Sequence, residues 1–404
     1  MNSQKSKALR LILLFGCVSL FGDIIYEGAR SVNGPYLKVL GANALLVGVI
    51  AGIGEFLGYT IRLFSGYLSD KTRSYWFFTI LGYALIVSVP LLAFTSLWHV
   101  AALLIVAERI GKALRSPAKD TILSQATKQV GTGFGFGLNE MMDQIGALAG
   151  PLIFTFFFLS KGAGDRTLAD YQHGYGLFWI PFALLMLCVL FAWRSVPDPA
   201  ALEPAKTNEP DKLPKVFWTY TVFSFLTTMG FVNFVLLAFH YKTRQVLSDM
   251  EIPLYYAIAM GVDGAAALGV GKLYDILKEK NGHDHGGLAT LIVIPVLSAL
   301  IPFLAFSGSR WVVAAGIILW GIVMACHETI MKSAIADITP LRKRGTGYGV
   351  LNTAYGLAML TGGVLTGYLY DRSLPLLIGA TVTLQIFSLP FFMSIQKSVA
   401  ETKT

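Results

Sequence analysis

Twelve stretches of mostly apolar residues follow one another along this chain, each close to the roughly 20 residues an α-helix needs to cross about 30 Å of hydrocarbon. They run from Leu9 to Tyr36, Leu46 to Leu68, Tyr75 to Phe94, Trp98 to Ser116, Gly133 to Leu159, Gly174 to Trp193, Val216 to Tyr241, Pro253 to Tyr274, Leu288 to Phe306, Trp311 to Ile335, Thr346 to Tyr370 and Leu374 to Ser394. Inside a bilayer every backbone polar group needs a partner from the protein, so segments of this kind fold as helices. No short h-region ending in a small-residue cleavage pattern interrupts the first run, so no cleaved leader is expected.

Composition agrees. The chain is 54% hydrophobic and only 14% charged, with a mean hydropathy of +0.61. About a quarter of a soluble domain is charged, so this chain could not cover a water-facing surface, and it is far too apolar for disorder. Cys17, Cys188 and Cys326 lie in apolar runs without spacing that suggests a disulfide framework or thiolate metal site, and read as small apolar side chains.

The net charge of +8 reflects topology and calls for no nucleic acid. With the N-terminus inside, most lysines and arginines fall in cytoplasmic segments and about 7 outside, as the positive-inside rule requires. Lys71, Arg73, Lys119, Lys128, Arg342, Lys343 and Arg344 would then face the anionic inner leaflet, and both termini would be cytoplasmic.

The stretch from Pro197 to Lys215 is rich in proline and charge and cannot span. It divides the chain into an N-terminal six-helix bundle (1–196), a cytoplasmic linker (197–215) and a C-terminal six-helix bundle (216–404). The halves echo one another. Gly66-Tyr67-Leu68-Ser69-Asp70 recurs as Gly271-Lys272-Leu273-Tyr274-Asp275, and Gly131-Thr132-Gly133-Phe134-Gly135 as Gly345-Thr346-Gly347-Tyr348-Gly349. Parallel halves of six helices are one plan of secondary transporters.

With these spans, this linker and these repeats, the chain resembles the major facilitator superfamily (MFS) over essentially its whole length. The resemblance implies an all-α integral membrane protein with twelve transmembrane helices in two six-helix bundles. Gly66 to Lys71 is similar to that family's loop 2-3 signature, in which a glycine permits close helix approach and an aspartate latches a gate; Arg73 stands where a second glycine is usual. Gly146-Ala147-Leu148-Ala149-Gly150-Pro151 is similar to the glycine-proline segment of the superfamily's antiporters, without its trailing glycines; generic helix packing is the other reading. Gating is thus expected of Gly66, Asp70, Lys71, Gly146, Gly150, Pro151 and the repeat counterpart Asp275. Arg109 resembles the arginine associated with proton coupling on helix 4, with its glycine, Gly111, closer than usual.

Ionisable groups inside a membrane cost at least about 2.5 kcal/mol each at a helix centre, so they mark function or tight pairing. The third, sixth, ninth and twelfth spans contain none, and in the resembled fold these are the lipid-facing helices. Elsewhere there are eight acids, Asp23, Glu27, Glu55, Glu108, Glu140, Asp143, Asp263 and Glu328, against the fixed cations Arg30, Arg62, Arg109 and Lys112. Asp23, Glu27 and Arg30 share one helix face, as do Glu55 and Arg62. Glu27 with Arg30, and Glu55 with Arg62, read equally well as packing clusters that hold helices in register. Glu140 and Asp143 lie one turn apart; two carboxylates close together in a low dielectric resist double ionisation, so one can hold a proton. His327 is the histidine of the tenth span.

The acidic surplus suits protons, organic cations or metal ions and disfavours a strongly anionic substrate. His283 and His285 read as a solvated loop, His240 as an interfacial histidine, and His327-Glu328 lacks the second histidine of a zinc-protease helix. No phosphate-binding loop is present and no cofactor is implied. The expected function is proton-coupled secondary transport of a small molecule across the bacterial inner membrane by alternating access, as a monomer, with efflux of an organic, cationic or drug-like compound favoured by the antiporter-like segment. A carrier of a metal ion or metal chelate, a proton symporter for uptake and a non-transporting sensor on the same fold remain open; an enzyme would need a nucleophile or metal triad that the scattered histidines do not supply.

Overall fold

The computed structural model describes residues 3–127, 132–162, 164–197, 213–281, 284–338 and 344–401. They form twelve helical segments: α1 Ser3–Val39, α2 Ala44–Thr72, α3 Tyr75–Ala84 continuing in short turns to Phe94, α4 Trp98–Thr127, α5 Thr132–Ser160, α6 in two pieces (Leu168–Gly176 and Trp179–Ser195), α7 in two pieces (Lys215–Met229 and Phe234–Arg244), α8 Glu251–Asn281, α9 Asp284–Ile292 running into Val293–Ala305, α10 Arg310–Ile338, α11 Arg344–Arg372 and α12 Leu374–Glu401. Ten of them are long and apolar enough to cross a membrane. The other two are α4, which carries Glu108, Arg109, Lys112 and Arg115, and α11, where glycine, threonine and tyrosine replace large aliphatic residues.

Local sequence sets the breaks. Thr167 caps α6 in a reciprocal box, its backbone N–H reaching the Asp170 carboxylate at 2.9 Å. In α7, Gly230 ends the first piece, and the Asn233 side chain caps the second by accepting from the Val235 N–H at 2.9 Å. A β-carbon at Gly230 would lie 2.6 Å from Gln385 Nε2, so any larger residue there would have to displace that side chain.

The helices cluster into two compact units. One comprises Met1–Ala42, Ile53–Lys206 and Leu247–Ala257; the other comprises Asn43–Gly52, Thr207–Val246 and Ile258–Thr404. The first is filled by aromatic side chains. Tyr36 meets Tyr175 edge-on at 4.9 Å, and its hydroxyl donates to the carbonyls of Leu92 and Thr95, while Phe15 stacks on Trp76 at 5.8 Å. In the second unit Tyr220 donates to the Met331 carbonyl at 2.6 Å and Trp320 to the Val232 carbonyl at 2.9 Å, so each buried polar tip is satisfied. Large apolar side chains stand outward on α3, α6, α9 and α12, among them Phe77, Ile180, Phe303 and Phe387, the pattern expected of helices whose solvent is lipid.

The repeated glycines take equivalent positions. A β-carbon at Gly66 on α2 would touch Pro117 of α4 at 3.4 Å, and one at Gly271 on α8 would touch Thr329 of α10 at the same distance.

Candidate functional site in the first unit

The site begins with a helix crossing. Gly146 and Gly150 of α5 press onto α1: a β-carbon at Gly146 would stand 2.5 Å from the Leu20 carbonyl oxygen and 3.0 Å from the β-carbon of Asp23, and one at Gly150 would stand 2.3 Å from the Ile24 carbonyl. Small residues allow this approach, as they do between membrane helices generally. Pro151 lies within the same helix, one residue beyond the contact.

The crossing brings Asp23 and Asp143 to one cavity of about 90 Å³, which Lys112, Arg115 and Lys119 of α4 and Tyr83 of α3 also line. A hydrogen-bonded chain runs along its wall. Lys119 Nζ donates to Ser19 Oγ at 3.4 Å, Ser19 to Asn139 Oδ1 at 3.0 Å, and Asn139 Nδ2 to Asp143 Oδ2 at 3.1 Å. Asp23 has no hydrogen bond or ion pair within 4 Å among the described residues.

Beside the cavity lies a buried ion network. Glu55 forms ion pairs with Arg30 at 3.4 Å and with Arg109 at 3.3 Å. Glu27 pairs with Arg30 at 3.9 Å, and Glu108 with Arg109 at 3.6 Å and Arg115 at 3.8 Å. Tyr26 is the hub: its hydroxyl accepts from Arg30 and Arg109, while Lys112 Nζ sits 3.9 Å and the Arg109 guanidinium 4.3 Å from its ring centre. Tyr256, at the start of α8, donates to Glu27. Three carboxylates thus balance three guanidinium groups in this network, as buried charge requires. Asp23 and Asp143 share their cavity with Lys112, Arg115 and Lys119, of which Arg115 pairs with Glu108 and Lys119 with Asp120 at 3.8 Å each. One proton therefore changes the net charge of the cavity.

Several expectations change. The Glu55–Arg62 pair does not form; Glu55 serves Arg30 and Arg109, and the Arg62 guanidinium lies over the Tyr59 ring at 4.9 Å, because the partners of Glu55 come from neighbouring helices instead of its own. Lys119 does not face the inner leaflet: its side chain is 14% exposed and turned into the cavity. Lys71 is exposed, its ammonium 5.8 Å from the Tyr67 ring centre. Asp263, His327 and Glu328 belong to the second unit, the first two buried and Glu328 exposed. The side chains of Asp70, Glu140, Asp275 and His285, the residue His283 and most of the 197–215 linker lie outside the described residues, and the backbone from Asp284 on is helical instead of loop.

Sequence reasoning missed Ser19, Tyr83, Asn139 and Tyr256 and gave no role to Tyr26 or Arg115. Arg115 and Lys119 carried a signal, since Glu108, Lys112, Arg115 and Lys119 recur at helical spacing on one face of α4. Tyr256 carried none, because its partner lies 229 residues away in the chain.

The chain is similar to known proteins over most of its length. The Major Facilitator Superfamily profile matches residues 12–363. An uncharacterised protein of Mycobacterium tuberculosis is 37% identical over 397 residues, covering 96% of this chain and 93% of its own. A class H tetracycline resistance protein of Pasteurella multocida is 26% identical over 163 residues, covering 39% of each chain. The crystal structure of the nucleoside transporter NupG is 14% identical and superposes with a TM-score of 0.71 over 96% of this chain and 98% of its own, which is a likeness of fold. The chain belongs to the Major Facilitator Superfamily, a family of transporters and not of enzymes, and is a multi-pass membrane secondary transporter for a small molecule.

Proposed function

We propose that the protein is a proton-coupled antiporter that exports an organic compound by alternating access, with Asp23 and Asp143 as the proton-carrying pair. The observation that carries this reading is their shared cavity, in which two carboxylates from facing helices lie among the cations Lys112, Arg115 and Lys119. The two carboxylates give a proton a place to bind in one buried cavity, and the neighbouring cations serve as their counter-charges when it leaves. A proton gained or lost there alters the charge that α1, α4 and α5 must accommodate, which is the differential interaction a conformational equilibrium responds to.

In this reading the bundles 1–196 and 216–404 are the moving bodies, joined by the 197–215 linker, with both termini cytoplasmic in the bacterial inner membrane. Glu27, Arg30, Glu55, Glu108, Arg109 and Arg115 form a neutral brace that orients the pair, and Gly146, Gly150 and Pro151 set the α1–α5 crossing. Efflux is supported by that antiporter-like segment and by the partial match to a tetracycline resistance protein. Among the described residues no three His, Cys, Asp or Glu side chains gather as metal ligands would, so the geometry lends no support to a metal carrier.

The test is purified protein in liposomes under an imposed proton gradient, with an enclosed pH dye. Tetracycline, ethidium and a broad panel of organic cations and neutral aromatics are added in turn. Proton flux that depends on one of these compounds, and is absent with Asp143→Asn, is expected; no compound-dependent flux across the panel from folded protein would count against the proposal.

A further inference from the structure

In the second unit α7 breaks between Met229 and Phe234, half-way along a 30-residue span. A break at that depth frees backbone groups and re-aims side chains, and transporters place binding sites at interrupted helices. Here the break turns Phe231 toward α10. Its ring stacks on Trp320 at 5.4 Å with an interplanar angle of 21°, and lies 5.2 Å from the His327 ring. Tyr355 of α11 meets His327 from another direction, at 5.9 Å and 69°.

His327 is 4% exposed, and neither Nδ1 nor Nε2 has a hydrogen-bond partner among the described residues. The contrast with its neighbours is sharp. Trp320 Nε1 donates to the Val232 carbonyl, and Gln385 Nε2 donates to the Thr227 carbonyl just before the break. Buried polar atoms are nearly always paired, and a leucine would fill this aromatic setting without leaving two orphaned nitrogens. Packing therefore explains the three aromatic rings and leaves the imidazole unexplained.

We propose that Phe231, Trp320, His327 and Tyr355 form a substrate subsite for a flat aromatic compound bearing a hydroxyl group, with the hydroxyl paired to His327. The partly exposed ring of Tyr355 offers stacking surface to a planar group, behind which Phe231 and Trp320 are stacked on each other. A neutral imidazole offers one donor and one acceptor, and a hydroxyl is both, so it pairs with either nitrogen in either tautomer. This rests on the transport reading above and narrows its organic substrate to a chemical class.

The probes are 2-naphthol and 2-methylnaphthalene, which share the ring system and differ in the hydroxyl, and binding to detergent-purified full-length protein is measured by equilibrium dialysis. Wild type should bind 2-naphthol about tenfold more tightly than 2-methylnaphthalene, the preference should vanish in His327→Leu, and His327→Gln should keep it within about threefold. The melting temperature of His327→Leu should equal or exceed that of wild type, showing that lost binding is not lost folding. Equal affinity for the two probes, no binding of 2-naphthol, or a preference that survives His327→Leu overturns the proposal. Binding in detergent needs no proton gradient. Failure here leaves Asp143-dependent proton flux standing, and loss of that flux with the naphthol preference intact overturns the transport reading alone.

Discussion

Gly28 and Gly150 meet backbone to backbone: a β-carbon on Gly28 would lie 2.9 Å from the Gly150 carbonyl oxygen, and one on Gly150 would lie 2.8 Å from the Gly28 nitrogen. The contact fixes how far α1 stands from α5, and with it the spacing of Asp23 and Asp143. Gly150→Ala should therefore lower stability by about 1–3 kcal/mol, the usual cost of overpacking. Gly379→Ala on α12, where nothing lies within 4 Å of the added carbon, should be neutral or stabilising. Thermal unfolding in detergent compares the two. Equal melting temperatures would show that the α1–α5 crossing yields without cost.

Asp143 is held by Asn139 at 3.1 Å, whereas Asp23 makes no such bond among the described residues. Asparagine keeps the shape of either side chain and removes the proton site. Asp143→Asn should abolish gradient-driven accumulation of the substrate while leaving downhill exchange measurable, and Asp23→Asn should weaken the binding of a cationic substrate. Both are read in liposomes with and without an imposed proton gradient. Coupled transport retained in full by Asp143→Asn removes that residue from the mechanism.

Glu55 answers two guanidinium groups that are both about nine-tenths buried. Replacing it with glutamine leaves Arg30 and Arg109 competing for Glu27, Glu108 and the Tyr26 hydroxyl. Breaking a buried pair of this kind costs roughly 3–5 kcal/mol. Glu55→Gln should consequently unfold at a much lower temperature than Lys71→Gln, an exposed change expected to stay within about 0.5 kcal/mol. A melting curve for Glu55→Gln that overlays wild type would mean that the network is not a brace.

Fold class was legible because apolar length is a local property: each span needs only its own residues to declare itself. α4 and α11, which are too polar over the described residues to pass the stricter apolar test, were read as spans with the same ruler, over Trp98 to Ser116 and Thr346 to Tyr370. Pairing was not legible. Glu55 and Arg62 share a helix face and invite a pair, yet the bonds of Glu55 go to Arg30 and Arg109, because residues from facing helices approach as closely as residues one turn apart and nothing in a single sequence ranks them. Lys119 was misplaced for a related reason: a lysine near a helix end suggests the membrane surface, and only the α1–α4 contact shows Ser19 waiting for it. The aromatic surroundings of His327 depend on a break in α7 whose signals, Gly230 and Asn233, are ordinary in isolation.

Arg73, the residue that ends α2, adopts φ = +52°, in the left-handed region where glycine rests without strain. It stands at the position where the resembled loop signature carries its second glycine, the residue best suited to this conformation. A left-handed residue with a β-carbon costs about 1–2 kcal/mol, and glycine's greater freedom in the unfolded chain offsets about 0.5–1 kcal/mol of that gain. Arg73→Gly should stabilise the protein by about 0.5–1 kcal/mol. Arg73→Ala, which removes the charge but keeps the β-carbon, should not. Gln245, also at φ = +52° after α7, should respond to glycine with the same sign, while Gly41→Ala, at φ = +90° with nothing within 4 Å, should destabilise through backbone strain alone. Melting temperatures of the four variants separate backbone from charge: if Arg73→Ala rises as far as Arg73→Gly, removal of a cation at the helix end accounts for the gain and the conformational argument falls.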